Sequence, residues 1–97
     1  TGRQINSEQA LAWGLVSEVT SPEDLLDRAK QILSEITSMA PMAVASTLQS
    51  IDEGFDLGLE DALELEASLF AKTCATRDKQ EGVSAFLEKR IAEFLGE

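Results

Sequence analysis

Histidine is absent from this 97-residue sequence. That removes the commonest general acid/base and zinc ligand, and with it any Ser-His or Cys-His nucleophile. A single cysteine, Cys74, excludes an intramolecular disulfide and makes a reducing compartment the simpler setting. Cations are scarce: 8 Lys and Arg stand against 18 Asp and Glu, a net charge of −10. Such a balance argues against nucleic-acid or anionic-membrane partners, because phosphate contact needs local cation density. No apolar run approaches the ~20 residues of a membrane span, and no signal-peptide pattern opens the chain. The expectation is one small, soluble, acidic, intracellular domain.

Apolar residues recur at helical spacing almost throughout. Asn6 or Ser7 can cap a short helix over residues 8–13, with Gly14 as its left-handed C′ residue. Residues 15–19 alternate apolar and polar, which suits a short extended segment. Ser21-Pro22 reads as an N-cap and N1 proline, with Glu23 and Asp24 at the positive helix end. The helix that follows, to about Met39, carries Leu25, Ala29, Ile32, Ile36 and Met39, widened by Leu26 and Leu33 into a core face. Pro41 restarts the chain, with Val44, Leu48, Ile51 and Phe55 as the next stripe, and Gly54 and Gly58 bracket a turn. A helix over residues 59–73 bears two apolar rows, Ala62, Leu65, Leu69 and Leu63, Ala67, Phe70, Cys74, so it needs a deep core or a second partner. Asp78 is placed to cap the last helix, whose row is Val83, Leu87, Ile91 and Phe94. The fold class is all-α, about five helices with at most one short extended segment.

Residues 70–90 hold five of the eight basic residues and two of the five aromatics, Phe70 and Phe86, in two helical blocks broken at Ala75-Thr76. Cations and aromatics gathered in one segment of an acidic chain suit an anionic, partly flat ligand. The bland readings are core packing for Phe70 and Phe86, and a solvated helix end for Glu88, Lys89 and Arg90. Cys74, on an apolar row, reads as a buried small hydrophobe, and Trp13 as packing beside the Gly14 turn. The acidic residues Asp52, Glu53, Asp56, Glu60 and Asp61 lack the offsets of a calcium loop, and no metal site is expected.

Thr1-Gly2-Arg3, then Ala10-Leu-Ala-Trp-Gly-Leu-Val16, then Ala40-Pro41 with Ala43-Val44, and finally Ala75-Thr76-Arg77-Asp78-Lys-Gln-Glu81-Gly82-Val-Ser-Ala-Phe86-Leu-Glu88-Lys89-Arg90 together resemble the C-terminal region of the crotonase superfamily. This is the family of enoyl-CoA hydratases and isomerases. The resemblance covers essentially all 97 residues. It implies that the chain is the tail of an enzyme, residues 1–97 being the helical C-terminal domain for trimerisation and the CoA pocket. The N-terminal catalytic spiral, with its oxyanion hole and two catalytic glutamates, would then be absent, so the chain carries no catalytic residue and is inactive alone. The parent reaction it implies is addition of water to a trans-2-enoyl-CoA. The alternatives are an isomerase or another acyl-CoA enzyme of the superfamily, or a free-standing acidic helical interaction module.

By position in the family pattern, Phe70 and Phe86 are similar to the aromatics of the CoA pocket, and Lys89 to the cation near the CoA nucleotide. The partners implied are an acyl-CoA, with the CoA thioester as substrate and no separate cofactor, and further copies of the chain as a trimer or dimer of trimers. The implied location is cytoplasmic, or the mitochondrial matrix for a eukaryotic parent. Two positions depart from the pattern. Leu48 stands where many members have lysine, and Ile91-Ala92 replaces a common lysine-proline, which leaves the last helix free to run longer.

Overall fold

The computed structural model describes residues 2–97. Among them are five helices and no strand: α1 Ser7–Ala12, α2 Leu25–Thr37, α3 Pro41–Gly54, α4 Leu59–Cys74 and α5 Arg77–Glu88. The chain forms two compact units, Thr1–Leu33 and Ser34–Glu97.

In the first unit, Asn6 caps α1 through a reciprocal capping box. The Gln9 amide donates to Asn6 Oδ1 at 2.8 Å, and the Asn6 amide donates to Gln9 Oε1 at 3.3 Å. Gly14, at φ +72°, ends the helix, and the Leu15 amide reaches back to the Ala10 carbonyl. Residues 15–19 are irregular rather than a strand, because an extended segment without a ladder partner has nothing to bond. The Ser21 hydroxyl accepts from the Asp24 amide and donates to the Asp24 carboxylate, so residues 21–24 form a turn and the regular helix starts only at Leu25. Glu18 then ties the irregular segment to α2 through Arg28 at 2.7 Å.

The apolar stripe of α2 is not a core face. No residue of α2 is buried, and Leu25, Leu26, Leu33 and Met39 are all more than half exposed. Trp13 is likewise exposed rather than packed beside its turn. A helical stripe specifies which side is apolar; burial needs a second surface to cover it.

In the second unit α3 packs on α4, and it does so through small residues. Ala43, Ser46, Ser50 and Gly54 are half-buried, whereas Leu48, Ile51 and Phe55 of the expected stripe are exposed. The close approach is visible at Gly54, where an added Cβ would sit 3.7 Å from the Ala62 Cβ. On α4 the first apolar row is the covered one: Leu69 is buried, with Ala62 and Leu65 half-buried beside it. The second row, Leu63, Ala67, Phe70 and Cys74, stays open, and so Cys74 is exposed rather than a buried hydrophobe.

The last helix is shorter than its apolar row suggests. It stops at Glu88, with Lys89 left-handed at φ 54° and the Arg90 amide bonded to the Ala85 carbonyl. That is the six-to-one bond of a Schellman ending, made with a lysine where glycine is usual. Residues 90–97 then turn back along α5 instead of extending it, which carries Ile91 and Phe94 off the helical row.

Candidate functional site

The break at Ala75-Thr76 is built by one hydroxyl. Thr76 Oγ1 donates to the Thr73 carbonyl at 2.8 Å, closing α4, and accepts the Lys79 amide at 3.1 Å, capping α5. Thr76, not Asp78, is therefore the N-cap. Between the two helices lies an apolar groove of about 440 Å³, within the size range of ligand pockets. Phe70 and Cys74 from α4 line it, as do Val83 and Phe86 from α5, Ala43 from α3 and Phe94 from the tail. Phe70 and Phe86 remain 69% and 82% exposed, so neither is a core residue of this chain.

Asp78 is freed from capping for another task. It is buried, and its two carboxylate oxygens each accept one tail amide, Leu95 on Oδ1 and Gly96 on Oδ2, both at 2.8 Å. Its own amide donates to the main-chain oxygen of Glu97 at 3.1 Å. Gly96 sits at φ +80°, a conformation that side chains resist. One turn further along, Glu81 accepts a forked pair of bonds from Arg90, and Oε1 also takes the Glu93 amide at 2.9 Å. The guanidinium and that amide hold the Glu81 carboxyl at about 2, well below the usual carboxylate range, and Arg90 is correspondingly raised.

These pairings sort the cations of the segment. Arg90 is committed to Glu81 and Glu88, and Arg77 to Glu97. Lys79 and Lys89 have no ion pair among the described residues. Lys79 lines the groove; Lys89 lies outside its lining, at the far end of α5. The structure therefore brings Phe70 and Phe86 together and leaves Lys89 at the helix end. Lys79 was readable in principle, since it precedes Val83 by four residues and Phe86 by seven, one face of a helix. Phe94 was not readable, because it reaches the groove only through the turned-back tail.

The family model described as enoyl-CoA hydratase/isomerase matches residues 1–97. The chain belongs to the enoyl-CoA hydratase/isomerase family. It is 39% identical to the crotonyl-CoA hydratase of Syntrophomonas wolfei over 98% of its own length and 36% of the relative's. It is 37% identical to the short-chain-enoyl-CoA hydratase of Clostridium acetobutylicum, over 96% of the chain and again 36% of the relative. The crystal structure of the enoyl-CoA hydratase from Bacillus anthracis superposes with a TM-score of 0.96 at 33% identity, over 99% of this chain and 37% of that one. The chain thus spans a little over a third of the length of these relatives.

Proposed function

We propose that this chain is the helical C-terminal part of an enoyl-CoA hydratase-like lyase, which adds water to trans-2-enoyl-CoA thioesters. Its tasks there are subunit association and completion of the acyl-CoA pocket. The observation that carries the second task is the convergence of Phe70 and Phe86 on one groove, both largely exposed, beside Lys79, which has no ion pair among the described residues. An acyl-CoA offers the matching chemistry: an apolar chain, a flat nucleotide base and phosphates. Lysines serve phosphates as point charges, the role this reading gives Lys89.

The groove supplies no acid/base pair. Asp78 is its one carboxylate, and both of its oxygens already accept amides. In this reading the residues that activate water lie outside the 97, and the hydratase assignment is supported by the chain's similarity to a crotonyl-CoA hydratase and a short-chain-enoyl-CoA hydratase. The association task is supported by the open row of α4, the exposed Leu48 and Ile51 of α3 and the exposed Phe55 just after it, more apolar surface than a stable monomer usually leaves wet.

The test is equilibrium binding of butyryl-CoA, a saturated acyl-CoA with no double bond to hydrate, to the full-length protein and to its Phe86→Ala variant. An aromatic contact beyond simple area burial predicts ~3–10-fold weaker binding. Unchanged affinity would remove Phe86 from the pocket.

A further inference from the structure

Asp78 is the chain's one buried charged residue among those described, and its position in the first turn of α5 gives it an ordinary role as a favourable charge at the helix N-terminus. Its bonds tell otherwise. Both oxygens are taken by amides 17 and 18 residues away, and none by α5 itself. A carboxylate that takes one amide per oxygen fixes the direction and register of the backbone it holds.

The tail so held carries Phe94, one residue before the first clamped amide. Phe94 is half-buried, and its ring lies on Gly82 of α5, where an added Cβ would meet Cε1 at 3.4 Å. Gly82 and Phe94 both line the groove that Phe70 and Phe86 line. The far side of the clamp is also fixed: Gly96 passes Pro41 at the start of α3, with Pro41 Cγ 3.6 Å from the position of an added Cβ.

We propose that Asp78 is the positioning residue of this groove. By clamping the Leu95 and Gly96 amides it seats Phe94 on Gly82, and so makes the tail a fixed wall of the site. The groove's width is then set by a lining carboxylate whose two oxygens are both engaged by tail amides. Released from the clamp, Phe94 leaves Gly82, and the wall on that side is lost. The inference rests on the acyl-CoA reading only for the identity of the ligand, not for the clamp.

Two variants of the full-length protein separate clamp from wall. Asp78→Asn removes one of the two acceptors and leaves Gly82 intact. Gly82→Val pushes the Phe94 ring away and leaves the carboxylate intact. Hydrogen exchange of residues 91–97, read by mass spectrometry, should quicken at least ~10-fold in Asp78→Asn, as expected when a bonded segment opens locally, and stay near wild type in Gly82→Val. The Kd for butyryl-CoA, which has no double bond to hydrate, should rise in both by about tenfold, the scale of losing part of an apolar wall, and kcat for crotonyl-CoA should hold. Combining the two substitutions should raise Kd no further than either alone, which a general loss of fold would not reproduce.

A Kd raised by Asp78→Asn but not by Gly82→Val would overturn the proposal, as would additive effects in the double variant. If wild type binds no butyryl-CoA, the functional reading fails separately. The clamp is then judged by a crystal structure of Asp78→Asn: it stands if Phe94 has left Gly82 and falls if the ring has stayed.

Discussion

Arg90 grips Glu81 in a fork, with Nη2 2.8 Å from Oε2 and Nη1 on Oε1, across nine residues of sequence and the whole turn that ends α5. The same Arg90 holds Glu88 through Nε at 2.7 Å, so one guanidinium joins the helix end to its returning tail.

Acid should loosen that junction. The Glu81 carboxyl sits at about 2 in the folded chain against an ordinary 4.5, and a depressed carboxylate stabilises the fold fully above its unfolded value. Its contribution is therefore present above about pH 4.5 and is lost as pH falls towards 2. Glu81→Gln should flatten the acid side of the stability profile in that window, with little change in slope at neutral pH. Urea midpoints measured from pH 6 to 2.5 for both proteins check this. Parallel profiles would mean the ion pair contributes nothing.

Lys89→Ala in the full-length protein should weaken CoA-thioester binding more than it slows chemistry. Lys89 is exposed and has no ion pair among the described residues, and a phosphate contact remote from the reacting carbons acts equally in ground and transition states. The expected change is a ~3–10-fold rise in KM with kcat held, below the full value of a charge-assisted hydrogen bond because the site is open to water. A pantetheine thioester lacking the nucleotide should not notice the substitution. Equal damage to both substrates, or to neither, would return Lys89 to a plain helix end.

The 97-residue chain should self-associate. Leu63 and Phe70 of the open α4 row are 54% and 69% exposed, and Phe55, which follows α3, is 89% exposed. Sedimentation equilibrium should give a mass above the monomer, and Leu63→Glu should lower it by placing a charge in the contact. A clean monomer that also fails to bind a hydrophobic dye would count against the association task.

Local chemistry was legible in the sequence, and distant chemistry was not. Asn6, Gly14, Pro41 and the Ala75-Thr76 break each act within four residues of themselves, and each lies where the pattern puts it. The covered row of α4 was legible as one of two, and the choice between them was made by the small face of α3. The stripes of α2 and α3 misled because periodicity reports a face and not its cover. Asp78 misled for the opposite reason: a capping residue at the right offset is a local expectation, and the amides that claim it come from the far end of the chain. Phe70 and Phe86 were reached through the family resemblance, and the groove they share was not predictable from their separate helices.

The most direct test of the account is hydration of crotonyl-CoA, followed as loss of the conjugated enoyl absorbance, by the full-length protein and by the 97-residue chain. The account predicts turnover by the full-length protein and none by the chain, whose groove holds no free carboxylate and whose sequence holds no histidine. Lack of an oxyanion hole alone would cost about 10²–10³ in rate. Ordinary enzymatic turnover by the 97 residues, or none by the full-length protein, would contradict it.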